Sequence, residues 1–267
     1  MLSSEEFHRQ VQEEIKQSVK VMGATKYSDD RPKTVVIMPV HNALEYVKRS
    51  LSALKDLHLV LVIVDDASDS ETSKWLTSYA LRRPLTHVLR NNRQQLFTRT
   101  VNRGLRYAYK TYAPQYLCVV NSDVEFFSGW LTNLEQILDT YPEVGKVAYR
   151  DSTEPNLPEQ FENVEYPGYL TGHCFMVRTN VLEQVGVLCE TELGGAACVF
   201  PELAHLQGLA HIGSDRYLTY NIQKAGYRTV YCNFPGVGHE AGKSWGHRLD
   251  WLAAFNLDPL WDPNNTL

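Results

Sequence analysis

The sequence predicts an α/β domain built on a mainly parallel sheet with helices on both faces. Short apolar runs rich in β-branched residues alternate with segments of helical periodicity, at the spacing of βαβ units. The runs are apolar throughout, as strands buried on both faces are. Two stop abruptly in acidic or polar residues, at Asp65-Asp66 and Asn121-Ser122-Asp123, and the first ends at Pro39-Val40. Right-handed crossovers bring such strand ends to one edge of the sheet, where open α/β sheets bind ligands.

Taken in order, residues 1 to about 22 form a polar amphipathic pattern, with Phe7, Val11, Ile15 and Val19 recurring every four residues, and Gly23 to Pro32 reads as a linker. Thr34 to Met38 is the first buried strand, and a helix follows to about Leu54. The second strand spans Leu59 to Val64 and leads through Asp65-Asp66-Ala67-Ser68-Asp69 into a helix over Glu71 to Leu81. His87 to Leu89 is a third, short strand, and Leu96 to Lys110 a helix. Leu117 to Val120 is a fully buried strand that ends in Asn121-Ser122-Asp123. Beyond it, Trp130 to Thr140 is expected to be helical, Val144 to Tyr149 a strand, and Asp151 to Pro167 a loop. Tyr169 to Val177 reads as a strand with Gly172 inside it, Thr179 to Val185 as a short helix, Ser214 to Ala225 as a helix, and Arg228 to Cys232 as a late strand. Thr191 to Leu209, with Gly194-Gly195-Ala196-Ala197, reads as a loop.

A chain of 267 residues can bury a substantial core. The net charge of -5 and pI of about 6.0 argue against non-specific nucleic-acid binding, which needs a surplus of Lys and Arg. Arg99, Arg103 and Arg106 form a local basic stripe that reads as a solvated helix face. The five cysteines are scattered and never spaced as C-x-x-C, so neither a zinc site nor a disulfide framework is indicated, and reduced thiols in the cytoplasm are expected. No stretch is long and apolar enough to span a bilayer, so no integral membrane association is expected.

The chemistry points to the strand ends. An Asp two residues from another oxygen-bearing side chain, as in Asn121-Ser122-Asp123, can offer oxygens to a hard cation such as Mg²⁺ or Mn²⁺; Asn and Asp also cap turns. The adjacent carboxylates of Asp65 and Asp66 repel each other unless each has a donor or a cation, which suits a ligand rich in N–H and hydroxyl groups, such as a nucleoside. Neither a G-x-x-x-x-G-K-S/T nor a G-x-G-x-x-G loop is present, so phosphate neutralisation has to come from elsewhere. A metal at Asp123 would supply it.

Together these stretches resemble the inverting family 2 glycosyltransferases of the GT-A fold, over roughly residues 33 to 243. The resemblance is carried by Val36-Ile37-Met38-Pro39-Val40-His41-Asn42, Ile63-Val64-Asp65-Asp66-Ala67-Ser68, Asn121-Ser122-Asp123 followed by Gly129-Trp130-Leu131, Gly172 with Arg178, Ser214-Asp215, Ala225-Gly226-Tyr227-Arg228, and His239. It implies that Asp65 and Asp66 contact the nucleotide and that Pro39 and Val40 line the base. It also implies a divalent metal, Mn²⁺ or Mg²⁺, held by Asp123 and His239 with Asn121 and Ser122 beside it, and Asp215 as the general base. The domain at 33–243 then divides into a nucleotide-sugar half, 33–125, and an acceptor half, 126–243. It is preceded by a helix and linker at 1–32 and followed by a tail at 244–267.

The pattern departs from the family in places. Asn121 replaces the usual first Asp of the metal motif, and Ser214 and Tyr217 stand where acids flank the base. Gln94-Gln95-Leu96 replaces an Asn-x-Gly, leaving Arg93 or Arg99 to reach base or phosphate. The expected function is transfer of a sugar from a nucleoside-diphosphate donor, UDP-linked, to an acceptor hydroxyl on a glycan, protein, small molecule or modified nucleobase. The alternatives are a catalytically silent nucleotide-sugar or glycan-binding module and a nucleotidyltransferase. The latter would need a Gly- and Lys/Arg-rich phosphate loop, which Pro39-Val40-His41-Asn42 does not provide.

Overall fold

The computed structural model describes residues 31–54, 58–150, 159–161, 164–165, 172–188, 190, 214–234 and 236–239. The amphipathic segment at 1–22, the loop at 191–209 and the tail at 244–267 lie outside them. Strands β1 (Thr34–Val40), β2 (Val60–Asp65), β3 (Thr86–Arg90) and β4 (Tyr116–Val120) alternate with helices α1 (Leu44–Ala53), α2 (Ser70–Ala80) and α3 (Leu96–Tyr112). They form a parallel block in the order β3-β2-β1-β4. The chain continues through β5 (Val124–Phe126), α4 (Trp130–Thr140), β6 (Val144–Tyr149), β7 (Glu159–Phe161), β8 (Val164–Glu165), β9 (Cys174–Arg178) and α5 (Thr179–Val185). It then forms α6 (Ser214–Lys224), β10 (Arg228–Cys232) and β11 (Val237–His239). The main sheet runs β3-β2-β1-β4-β9-β6-β10-β8-β7, and β5 pairs with β11 in a small second sheet.

The sheet is mainly parallel, as expected, because β6 and β10 point the same way as β1 to β4. Strand β9 is inserted antiparallel between β4 and β6. This reversal has a functional consequence: the start of β9, at His173 and Cys174, lies at the carboxyl end of β4. The Asn121 amide donates to the His173 carbonyl at 2.8 Å across that junction. Two expectations need correction. Residues 151–167 contain the β7–β8 hairpin at the sheet edge rather than loop alone, and the strand read from Tyr169 begins at Cys174. The short strands β5 and β11 carry too few residues for a period-2 pattern to register.

Alternation along the strands divides the core into two layers. Val36, Met38, Leu61, Ile63, Tyr116 and Cys118 pack with α1, α2 and α4 on one face. Val35, Ile37, Val62, Val64, Leu117 and Val119 pack with α3, α5 and α6 on the other. Helix α3 lies close to the sheet because of Gly104: a Cβ there would stand 2.5 Å from Ile37 Cγ2 and 3.0 Å from Val64 Cγ2. Asn102, fully buried two residues earlier, donates to the Leu188 carbonyl at 2.7 Å and accepts from the Leu188 amide at 3.0 Å, tying the segment after α5 to α3.

Arg178, one of the residues that carries the family resemblance, serves the fold. Its Nε donates to the Val144 carbonyl at 2.7 Å and its Nη2 to the Tyr141 carbonyl at 3.0 Å and the Leu138 carbonyl, satisfying acceptors at the carboxyl end of α4.

Candidate active site

The carboxyl edge of β1 to β4 is where the backbone departs furthest from ordinary conformations. Asn42, Ala43, Ala67 and Leu96 have φ of 54°, 53°, 56° and 64°, and all follow the ends of β1, β2 or β3. Left-handed residues other than glycine cost about 1–2 kcal/mol each and persist where surrounding contacts over-determine them. Here the contacts are side chains binding backbone. The Asn42 amide donates to Ser68 Oγ at 2.9 Å, the Asp69 amide donates to Asn42 Oδ1 at 2.8 Å, and His41 Nδ1 lies 2.8 Å from the Asp66 carbonyl.

Asp65 and Asp66 sit at the end of β2 as expected, and the protein itself supplies donors to both. Asp65, with no exposure, accepts from the Ser68 amide at 2.9 Å and from Arg90 Nη1, while Arg90 Nη2 donates to the Ser68 carbonyl at 2.9 Å. Asp66 accepts from Asn91 Nδ2 at 2.6 Å, from the Gln95 amide at 2.7 Å and from the Leu96 amide at 2.9 Å. The Asp-Asp pair therefore shapes the rim of the crevice, with Asp66 holding the turn that enters α3. Leu96, which departs from the family's glycine, adopts the left-handed geometry that favours glycine, and its amide closes this turn.

That network predicts a large stability effect at Asp66. Removing a buried carboxylate that serves three donors is expected to destabilise the fold by about 3–5 kcal/mol. At about 2–4 °C per kcal/mol, Asp66→Ala should lower the melting temperature by about 10 °C, read by thermal unfolding. A melting temperature within about 2 °C of the wild type would show that the turn is held by other contacts.

The other candidates are distributed as follows. Pro39 and Val40 are buried within β1, so His41 and Asn42 present the next surface at this edge. Arg99 is exposed, whereas Arg103 donates to the Arg90 carbonyl at 2.7 Å and Arg106 pairs with Glu190 at 2.9 Å. Ser122 is buried, and its carbonyl lies 2.9 Å from Ser50 Oγ, which also lies 2.5 Å from the Val124 carbonyl. Ser50 thus fastens the turn bearing Asp123 to α1.

Asp123 and His239 come together although 115 residues separate them in the chain. The antiparallel register of β5 with β11 places His239 opposite Val124, and His239 Nε2 lies 3.5 Å from Asp123 Oδ1. Asn121, two residues before Asp123, has a buried Oδ1 that accepts no hydrogen bond among the described residues. His173 stacks on His239 with ring centroids 4.7 Å apart and planes at 11°, fixing the ring's orientation.

This donor set fits a divalent cation. Two atoms each about 2.1 Å from one ion stand about 3–3.5 Å apart, the spacing of Asp123 Oδ1 and His239 Nε2. Among the described residues, no group of three His, Cys, Asp or Glu side chains converges as a metal centre. The protein thus offers one carboxylate, one imidazole and one amide oxygen, and leaves other positions to water or phosphate, as Mg²⁺ and Mn²⁺ sites commonly do.

Asp215 lies in the first turn of α6, which is joined to α3 through a 2.8 Å hydrogen bond from Thr98 Oγ1 to Ser214 Oγ. A Cβ on Gly172 would meet Asp215 Oδ2 at 3.0 Å, so the glycine lets the carboxylate approach the backbone ahead of β9. Sequence reasoning passed over Arg90, Asn91 and His173 at this edge, and over Lys146 in β6, whose Nζ lies 3.3 Å from the Asp215 carbonyl. Lys146 left a signal, since a lysine within Val144-Gly145-Lys146-Val147-Ala148-Tyr149 interrupts an apolar strand. Arg90, Asn91 and His173 left none.

Comparison with known proteins agrees with the fold. A mannosyltransferase from Pyrobaculum calidifontis, solved in complex with GDP-Man and Mn²⁺, superposes with a TM-score of 0.55 at 16% identity, covering 85% of this chain and 66% of that one. GalNAc-T7, solved with UDP, GalNAc and Mn²⁺, gives a TM-score of 0.59 at 13% identity, covering 90% and 53%. Residues 1–349 of S. aureus TarS give 0.56 at 15% identity, covering 78% and 60%. The chain thus spans between about half and two thirds of these structures. No curated protein sequence matches it. The family description "Glycosyl transferase family 2" matches residues 35–186, more than half of the chain. The strand order, the ligand edge and this match agree: the chain belongs to glycosyl transferase family 2 and has the GT-A fold.

Proposed function

We propose that this glycosyltransferase moves a sugar from a nucleoside-diphosphate donor, UDP-linked, to an acceptor hydroxyl with inversion at the anomeric carbon. The observation that carries the reading is the pairing of Asp123 with His239, on the edge that also bears the Asp65-Asp66 rim. Among the structural neighbours, GalNAc-T7 was solved with UDP and Mn²⁺ and TarS with UDP, which favours UDP over the GDP of the mannosyltransferase.

In this reading residues 33–125 receive the nucleotide and 126–243 the acceptor. Loops 41–43 and 91–96, held by Asp65 and Asp66, form the rim for the base and ribose, and Asp123, His239 and Asn121 hold the cation. Bound Mn²⁺ or Mg²⁺ would neutralise the diphosphate and stabilise its departure as a Lewis acid. Asp215 accepts the proton of the acceptor hydroxyl as that oxygen bonds to the anomeric carbon. The bond from that carbon to the diphosphate oxygen breaks in the same displacement, and the nucleoside diphosphate leaves.

Among the described residues no helix is long and apolar enough to cross a membrane. Cys118, Cys174 and Cys232 are buried free thiols, which supports a reducing, cytoplasmic setting.

The test is a donor screen by thermal shift, with Mn²⁺ and with chelator. With Mn²⁺ present, UDP at about 100 times its dissociation constant should stabilise the protein by about 2.7 kcal/mol, and the same UDP concentration in chelator should stabilise it less. Mn²⁺-dependent release of free sugar from the bound donor should follow. Donor binding with no release and no transfer would favour the silent binding module.

A further inference from the structure

A fully buried lysine lies under the helix that carries Asp215. Lys146 sits in β6 among Val, Gly, Ala and Tyr, with no exposure. An ammonium withdrawn from water needs partners, so its place in an apolar strand calls for a reason beyond packing. Alternation turns Lys146 to the same side as Ala148, the face covered by α6. There its Nζ reaches Thr219 Oγ1 at 3.0 Å and the Asp215 carbonyl oxygen at 3.3 Å, and stands 4.5 Å from the centroid of Phe175.

The Thr219 hydroxyl donates in turn to the Asp215 carbonyl at 2.8 Å. Ammonium, hydroxyl and carbonyl therefore form a triangle over the first turn of α6, with the Asp215 carbonyl, which has two lone pairs, accepting from both side chains. Burial pushes the Lys146 ammonium down to about 8, and the charge of Asp215 opposes that fall, so carboxylate and ammonium act on each other. On the other side Gly172 abuts the same carboxylate, since its Cβ position lies 3.0 Å from Asp215 Oδ2.

Resting on the reading of Asp215 as the base, we propose that Lys146 is a positioning residue. With Thr219 it clamps the first turn of α6 and holds the Asp215 carboxylate against Gly172. A base displaced by about 1 Å can lose about 100-fold in rate while the donor site is untouched.

Lys146→Met and Thr219→Val should each lower kcat about ten- to a hundredfold, with Mn²⁺-dependent UDP affinity and donor KM changed by less than about twofold. Thr219→Ser keeps the hydroxyl and should transfer near the wild-type rate. The double variant should be no slower than the worse single one, because both changes open one clamp. Wild-type kcat in Thr219→Val, or loss of kcat and UDP affinity together in both Thr219 variants, would overturn the proposal. Should Lys146→Met fail to fold, the Thr219→Val and Thr219→Ser pair decides alone. Asp215→Asn separates the two levels. Wild-type transfer in that variant removes the base assignment itself, whereas a silent Asp215→Asn beside fully active Thr219→Val and Lys146→Met removes only the clamp.

Discussion

Asp215→Asn is expected to bind UDP with Mn²⁺ as the wild type does and to transfer sugar about 10²–10⁴-fold more slowly, the range that a positioned general base contributes. The substitution keeps the size and planarity of the side chain and removes its capacity to take a proton, together with the charge that acts on Lys146. Its place limits collateral effects. Asp215 belongs to α6, whereas the proposed nucleotide rim is built from the ends of β1, β2 and β3. A first-turn carboxylate contributes about 0.3–1 kcal/mol to its helix through the dipole, worth about 4 °C or less in melting temperature, and loss of the charge that acts on buried Lys146 adds to that fall. Single-turnover transfer and UDP titration on the same sample separate the two effects. Transfer at the wild-type rate would assign the base to another residue.

The sequence made the frame legible because strong, long signals built it. β1, β2 and β4 are apolar on both faces, and the helices between them carry one apolar stripe each, so their positions and the shared edge followed from periodicity and crossover handedness. Helix α4 and strand β6 fall on the residues expected from pattern alone. What escaped was made of short or long-range parts. Strands β5 and β11 have three residues each, and β11 contains Gly238, yet their pairing carries His239 to Asp123.

The charged pair at the end of β2 shows a second kind of limit. Repulsion between Asp65 and Asp66 correctly implied that each needs a donor. It could not say that Arg90, Asn91 and the amides at 95 and 96 supply donors from within the protein. The same gap hid Lys146: its interruption of β6 is visible in the sequence, but the partner above it is set by packing of α6 on the sheet. Side-chain identity marks a demand for a partner, and only the fold says who meets it.

Asp123→Ala should abolish the Mn²⁺-dependent part of UDP binding and with it transfer, leaving only the binding seen in chelator. Asp123 is the carboxylate of the proposed cation site, because Asn121 stands where the family has an acid. Removing it leaves an imidazole and an amide oxygen, which hold a hard divalent cation poorly without an anionic partner. Calorimetric titration of Mn²⁺ in the presence of UDP should show no saturable heat in Asp123→Ala beyond that of Mn²⁺ binding to UDP alone, and UDP alone should bind as it does to the wild type in chelator. Asn121→Asp supplies the opposite change. Its Oδ1 is already buried two residues from Asp123, so a second carboxylate there adds charge with little change of shape, and Mn²⁺ affinity should rise by about tenfold or more. The two variants together locate the ion: tighter Mn²⁺ binding in Asn121→Asp with none in Asp123→Ala fits a cation between β4 and β11. Undiminished Mn²⁺-dependent UDP binding in Asp123→Ala would move the cation off this pair and require a different route for neutralising the diphosphate.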